Sequence, residues 1–257
     1  MKKMWKVVAV VAVVALMASC LVACSGKDDS KLIMATNAEF PPFEYVTEKG
    51  LLGEFDGIDV AIAMEVASKM GKQLEISNMV FDSIIPSVVS GKADIGVAGM
   101  TVKPERLEQV DFSDTYWVAM QTIVVPENNT DITNVDALVG KTVGVVTGYT
   151  GDMAVSEVEG IKVNRYQKGA DAIVDLKNGK VDAVVIDAPT AENFIKRNPE
   201  LKGVSDDEFF GKEEYAIAVQ KGNDDLLKAI NATLAELKES GRLDEIAAEV
   251  AERLANE

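Results

Sequence analysis

SGKADIGVAG (Ser90–Gly99) and NGKVDAVVID (Asn178–Asp187) present the same series of features twice. In each, a helical segment stops at Gly-Lys, an acid follows, and a short apolar run leads into a loop. Glycine after a helix suits a left-handed C-cap, and a Val/Ile-rich run suits a strand that is buried on both faces. Any two helix–strand units share part of this pattern, but the common Gly-Lys-x-Asp favours two similarly built lobes.

Short apolar runs and segments of helical period alternate on both sides of this repeat, which predicts an α/β protein. We interpret the segments 119–126 and 214–221 as strands that cross between the lobes. Lobe 1 is therefore predicted to comprise residues 32–118 plus 216–257, and lobe 2 residues 119–215. Each lobe is expected to be a mostly parallel sheet flanked by helices, and the two crossings form a hinge.

The first 24 residues have the layout of a secretory signal: lysines, an apolar run and small residues. The run is shorter than the ~20 apolar residues of a membrane-spanning helix. Its end, Leu21–Cys24, resembles the lipobox of bacterial lipoproteins. This implies a signal peptide over 1–23, a lipid on Cys24 that anchors the protein outside the cytoplasm, and a tether over 24–31. An ordinary secretory signal with an incidental Cys24 is the alternative.

Composition excludes several kinds of chemistry. The chain has no histidine, and Cys20 and Cys24 in the leader are its two cysteines, so the folded part cannot build a Cys-His or Ser-His-Asp site, a histidine metal site or a disulfide. The net charge of −16 becomes −19 without the leader, which holds three lysines and no acids. Such a surface repels nucleic-acid phosphates. We predict no metal, no cofactor and no nucleic-acid partner.

Five segments resemble, in order, the extracytoplasmic solute-binding proteins of amino-acid ABC importers. They are NAEFPPFEY (Asn37–Tyr45), GEFDGIDVAIA (Gly53–Ala63), the long segment Phe81–Trp117, GKTVGVVTGYTGD (Gly140–Asp152) and VDAVVIDAPTA (Val181–Ala191). The resemblance covers nearly all of 32–254. It implies a two-lobed, type II periplasmic-binding-protein-like fold, a free amino acid as ligand, an ABC permease in the membrane as partner, and a monomer.

A free amino acid is a zwitterion, so its site needs a cation for the carboxylate and an acceptor for the ammonium. Because ligands of open α/β sheets bind at the carboxyl ends of strands, Gly99–Thr101 and Asp187 are expected to line one cleft. Arg106 can hold both carboxylate oxygens, with Thr101 and N–H groups at a helix start as further donors. Asp187 and the Gly99 carbonyl are expected to accept the ammonium. By resemblance, Thr150 contributes from lobe 2.

The side chain of the ligand is expected to meet aromatic rings. Phe40 and Phe81 resemble the aromatic walls of this family, although ordinary core packing is the alternative for each. Pro41-Pro42 excludes a helix at the first of them. Tyr149 could add a third aromatic surface, and Thr147 is a further ligand-binding residue that the resemblance implies.

The identity of the ligand is less well defined. Asn37, an expected ligand contact, stands where several relatives carry an aspartate, and Val146 and Ile186 occupy places that are polar in glutamine-binding relatives. Glu39 or Glu44 could replace the missing acid, unless they face solvent or cap the turn. We expect a polar or basic amino acid and no catalysis. A dehydratase-like enzyme and an amino-acid sensor on the same fold are the alternatives.

Overall fold

The computed structural model describes residues 28–256, and from Lys31 onward the chain forms one compact unit. The predicted signal peptide, Cys24 and residues 25–27 of the tether lie outside the described residues. Among the helices of residues 28–256, none has the length and apolar character needed to cross a membrane.

The strands of the described part, in chain order, are β1 (Lys31–Thr36), β2 (Glu39–Phe40), β3 (Glu44–Val46), β4 (Phe55–Asp56), β5 (Gln73–Asn78), β6 (Ile95–Gly96), β7 (Val110–Phe112), β8 (Trp117–Ala119), β9 (Gln121–Pro126), β10 (Thr142–Val146), β11 (Lys162–Tyr166), β12 (Ala183–Asp187), β13 (Leu201–Ser205), β14 (Glu213–Tyr215) and β15 (Ala218–Gln220). The helices are α1 (Ile58–Lys69), α2 (Ile84–Val89), α3 (Pro104–Leu107), α4 (Thr150–Ser156), α5 (Gly169–Lys177), α6 (Ala188–Arg197), α7 (Asp207–Phe210), α8 (Asp224–Glu239) and α9 (Arg242–Ala255), with 3₁₀ turns at Phe81–Ser83 and Asp136–Leu138.

Two five-stranded sheets form the cores of the two lobes, and they share one plan. Their orders are β5-β1-β6-β15-β7 and β11-β10-β12-β9-β13. In each, the first three strands are parallel, the fourth runs antiparallel to both of its neighbours, and the fifth returns to the first direction. The repeat therefore marks equivalent units: Gly91 and Gly179 have φ of +72° and +68°, as the predicted C-caps require. The expectation of two mostly parallel α/β lobes is confirmed.

The crossings between the lobes differ from the prediction in detail. Each was predicted as one strand, but each is two short strands with a break between them. β8 pairs antiparallel with β14 and forms the hinge ribbon, whereas β9 and β15 join the sheets of the lobes. The breaks lie where the backbone changes partners: the Met120 carbonyl accepts from the Ala188 N–H, and the Ala216 N–H donates to Met100. The predicted boundaries at residues 118, 119, 215 and 216 stay a prediction, which this arrangement supports.

The C-terminal helices complete lobe 1. α8 and α9 each bury one apolar face, and both contact α1. Arg253 of α9 holds the buried carboxylate of Asp56 with two hydrogen bonds, of 2.8 and 2.9 Å. A two-bond pair of this kind fixes geometry as well as adding energy. It ties the end of the chain to the lobe that carries its first strand.

Candidate functional site

A small, partly open pocket, referred to below as the cavity, lies between the lobes at the carboxyl ends of β6, β10 and β12. Its lining includes seven of the nine residues that the sequence analysis singled out for ligand binding, together with Ala98 and Tyr149. The lining residues are Phe40, Phe81, Ala98, Gly99, Thr101, Arg106, Tyr149, Thr150 and Asp187. Parallel strands deliver their following loops to one edge of a sheet, and here the two edges face each other.

Arg106 is buried in the wall of this cavity, with 5% of its surface exposed. Its Nη1 donates to the Thr101 carbonyl at 2.8 Å and its Nη2 to the Gly148 carbonyl of lobe 2 at 3.1 Å. The guanidinium carbon lies 5.2 Å from the centroid of the Phe81 ring, within cation–π range. Burial lowers the pKa of Arg106, opposed by nearby acids, but a guanidinium remains charged.

The helix that carries Arg106 is shorter than the sequence analysis assumed. α3 spans four residues, a single turn. A macrodipole needs several aligned peptide units, so α3 cannot attract an anion as a long helix does. The positive charge at this end of the cavity is therefore supplied by the guanidinium.

Asp187, at the end of β12, also lines the cavity and is 3% exposed. The Tyr215 hydroxyl donates a short hydrogen bond to its Oδ1. Burial, reinforced by the nearby Glu213, raises the pKa of Asp187 to about 7. A buried carboxylate held by a hydroxyl and beside a second acid is a strong acceptor for an incoming cation.

Glu213 is a buried acid that the sequence analysis missed. Its Oε2 accepts from the hydroxyls of Thr150 at 2.8 Å and Thr101 at 3.3 Å, and from Gln121 Nε2 at 3.0 Å. Strand periodicity was the available signal: Glu213 and Tyr215 alternate with the exposed Glu214 on β14 and so share its buried face.

This arrangement bears on the expected role of two threonine side chains. We expected Thr101 and Thr150 to donate to the ligand carboxylate. A hydroxyl carries one proton, and both of these hydroxyls donate to Glu213. In this arrangement each hydroxyl oxygen offers lone pairs to the cavity, and donation by these hydroxyls to a ligand carboxylate stays a prediction.

Three aromatic rings pack together in the cavity wall. Tyr149 lies with its ring centroid 5.3 Å from Phe40 and 4.7 Å from Phe81, and its plane is steeply inclined to both. Its hydroxyl donates to Asn37 Oδ1 at 3.1 Å across the lobe boundary. Gly99 approaches Phe40 so closely that an added Cβ would lie 2.5 Å from the ring, and its φ of +49° also favours glycine.

Two of the predicted ligand contacts lie outside the cavity lining. Asn37 binds the Tyr149 hydroxyl and donates to the Met79 carbonyl at 2.9 Å. Thr147 donates to the Tyr166 carbonyl at 3.1 Å. Both side chains thus support residues of the wall, and direct contact of either with a ligand stays a prediction.

Glu39 and Glu44, the two candidates for a further acid at the ligand, have different surroundings. Glu39 forms an ion pair of 2.5 Å with Lys168 of the other lobe, outside the cavity lining. Glu44 is fully buried beside Asp59, so the idea that it faces solvent is wrong. Burial and the charge of Asp59 raise the pKa of Glu44 well above its ordinary value, and burial raises that of Asp59 to about 6. Asp59 in turn accepts from the Gly99 N–H at 2.8 Å.

Comparison with known proteins adds the family context. The family model of bacterial extracellular solute-binding proteins, family 3, matches residues 32–251. Over 218 residues the chain is 37% identical to a probable histidine-binding protein of Neisseria gonorrhoeae, which covers 83% of this chain and 80% of that protein. Over 226 residues it is 34% identical to the arginine-binding extracellular protein ArtP of Bacillus subtilis, which covers 86% of each. The solved structure of an ancestral arginine-binding protein bound to arginine is 42% identical, with a TM-score of 0.80 over 86% of this chain and 97% of that one.

Proposed function

The chain belongs to the bacterial extracellular solute-binding proteins, family 3, and on that premise we propose that it captures a free amino acid between its lobes and delivers it to an ABC-type membrane importer. One observation carries the site assignment: Arg106 of lobe 1 and Asp187 of lobe 2 line the same cavity. The guanidinium holds the ligand carboxylate, and the carboxylate of Asp187 holds the ammonium. The protein acts as a monomeric binder and not as a catalyst.

The ligand we propose is a basic amino acid, with arginine first. Phe40, Phe81 and Tyr149 present aromatic surface to the cavity, and a guanidinium or ammonium side chain is attracted to aromatic faces. The similarity to arginine- and histidine-binding relatives supports the same class. Because ligand contacts come from both lobes, binding and lobe closure are one event, and the closed form is the one that docks on the permease.

A thermal-shift screen across the common amino acids tests this function. We expect L-arginine to raise the melting temperature most, because a ligand at ~1,000 times its Kd adds about 4 kcal/mol of stability. Agmatine, which lacks the carboxylate, and 5-guanidinopentanoate, which lacks the ammonium, are matched control compounds that should give small shifts. The absence of stabilisation by any amino acid would reject the proposed function.

The anchoring that the leader suggests is a separate part of the proposal. We propose cleavage after residue 23 and lipidation of Cys24, because several acyl chains, at ~0.8 kcal/mol per buried CH₂, hold a protein stably at a membrane. In a bacterial host, Cys24→Ala is expected to move the protein from the detergent phase to the aqueous phase on phase partitioning. Cys20→Ala is the matched control and should stay in the detergent phase. The opposite pattern would reassign the lipid to Cys20.

A further inference from the structure

Glu213 occupies an unusual place for a carboxylate. It is 4% exposed, and it lies on the hinge strand β14 between two cavity residues from different lobes. Its Oε2 accepts from Thr101 of lobe 1, Thr150 of lobe 2 and Gln121 at the start of β9. No cation lies within ion-pairing distance of it among residues 28–256. Its hydrogen-bond partners are therefore all neutral donors.

The direction of these hydrogen bonds determines whether Thr101 and Thr150 present donors or acceptors to a ligand in the cavity. Glu213 Oε2 is the acceptor in these bonds, so the single proton of each threonine hydroxyl is directed at Glu213. The Thr150 oxygen additionally accepts from Gln121 Nε2 at 3.0 Å. Thr101 and Thr150 therefore present oxygen lone pairs, which accept hydrogen bonds, to a ligand. Together with Asp187 they supply acceptors to the cavity wall, and Arg106 supplies donors to it.

We infer that Glu213 is a positioning residue that makes this site selective for ligands with a free α-ammonium group. It acts through Thr101 and Thr150, whose oxygens it turns towards the ammonium, and its charge adds to that of Asp187. An acid without the amino group would leave these acceptors without a donor, which is costly in a buried site. This inference rests on the amino-acid-binding function proposed above and concerns a different residue from those that carry it.

The test compares L-arginine with 5-guanidinopentanoate, its analogue without the amino group, by titration calorimetry. In Glu213→Gln the side-chain amide can donate, so the threonine hydroxyls are free to turn their protons into the cavity. We expect arginine to bind about 10- to 100-fold more weakly, because a hydrogen bond to a charged group contributes ~1.5–3 kcal/mol. The affinity for 5-guanidinopentanoate should stay the same or rise. The ratio of the affinity for arginine to the affinity for 5-guanidinopentanoate, which measures the selectivity, therefore falls.

Two controls separate positioning from hinge support. Glu214→Gln changes the exposed neighbour on the opposite face of β14 and should leave both affinities unchanged. A Glu213→Gln protein that loses both affinities equally, or keeps the wild-type ratio of affinities, would overturn the inference and leave Glu213 with a structural role in the hinge.

If that variant does not fold, Thr101→Val allows the same comparison. It should weaken the binding of arginine selectively, and an equal loss of affinity for both compounds overturns the inference. A wild-type protein that binds no amino acid would instead reject the proposed function.

Discussion

Arg106→Ala is expected to weaken the binding of L-arginine by at least about 100-fold. The guanidinium is the cation that lines the cavity, and a carboxylate held by two charge-assisted hydrogen bonds gains ~1.5–3 kcal/mol from each. Removing both bonds costs ~3 kcal/mol or more, which is a factor of 100 or more in Kd. Titration calorimetry at neutral pH measures this loss directly.

Two comparisons make the result specific to the ligand carboxylate. Arg106→Lys keeps the charge but not the planar fork, so it should recover part of the affinity and not all of it. Agmatine has no carboxylate, so wild type and Arg106→Ala should bind it equally weakly. Melting of the ligand-free proteins should differ little, since Arg106 bonds to two carbonyls at the cleft and not to the core of a lobe. Micromolar arginine binding by Arg106→Ala would show that the carboxylate is held elsewhere.

Much of the fold could be predicted because the repeat is a physical regularity. A buried parallel strand must be continuously apolar, and the helix before it must end in a residue that tolerates positive φ, so both units carry the same signature. The breaks inside the crossings could not be predicted in this way. The run 119–126 is apolar apart from Gln121 and Thr122, and this composition does not mark Met120 as the point where the chain changes from the hinge ribbon to the sheet.

The site residues also divide into those that the sequence predicts and those whose place depends on tertiary packing. Residues at strand ends, such as Asp187, were predictable because topology places those ends at one edge. Asn37 and Thr147 were placed near the cavity by the family resemblance, but their side chains find partners in the surrounding wall. Glu213 is one of 42 acidic residues, and its burial depends on packing between distant segments. The role of a hydroxyl as donor or acceptor depends on its partners, which a single sequence does not give.

Asp187→Asn is expected to cost about 100-fold in affinity for arginine at pH 8, with a change in pH dependence that identifies the cause. An amide keeps the size of the side chain but removes the charge that meets the ammonium. The loss of a charge-assisted interaction in a buried site is ~3 kcal/mol when desolvation of the remaining partner is included. Asp171→Asn, at an exposed acid of lobe 2, is the matched control and should bind as wild type does.

The pH profile follows from the state of Asp187 before the ligand arrives. Its pKa of about 7 lies above the ordinary value, and an ammonium partner favours the charged form, so binding below pH 7 must release a proton. The affinity of wild type for arginine is therefore expected to fall as the pH is lowered through about 7, by at most tenfold per pH unit. The chain has no histidine to mask this trend. Asp187→Asn removes the titrating group, so its weaker binding should vary much less between pH 5.5 and 8. A variant that keeps the full wild-type slope would show that Asp187 does not meet the ammonium and that another buried acid, such as Asp59 or Glu44, controls binding.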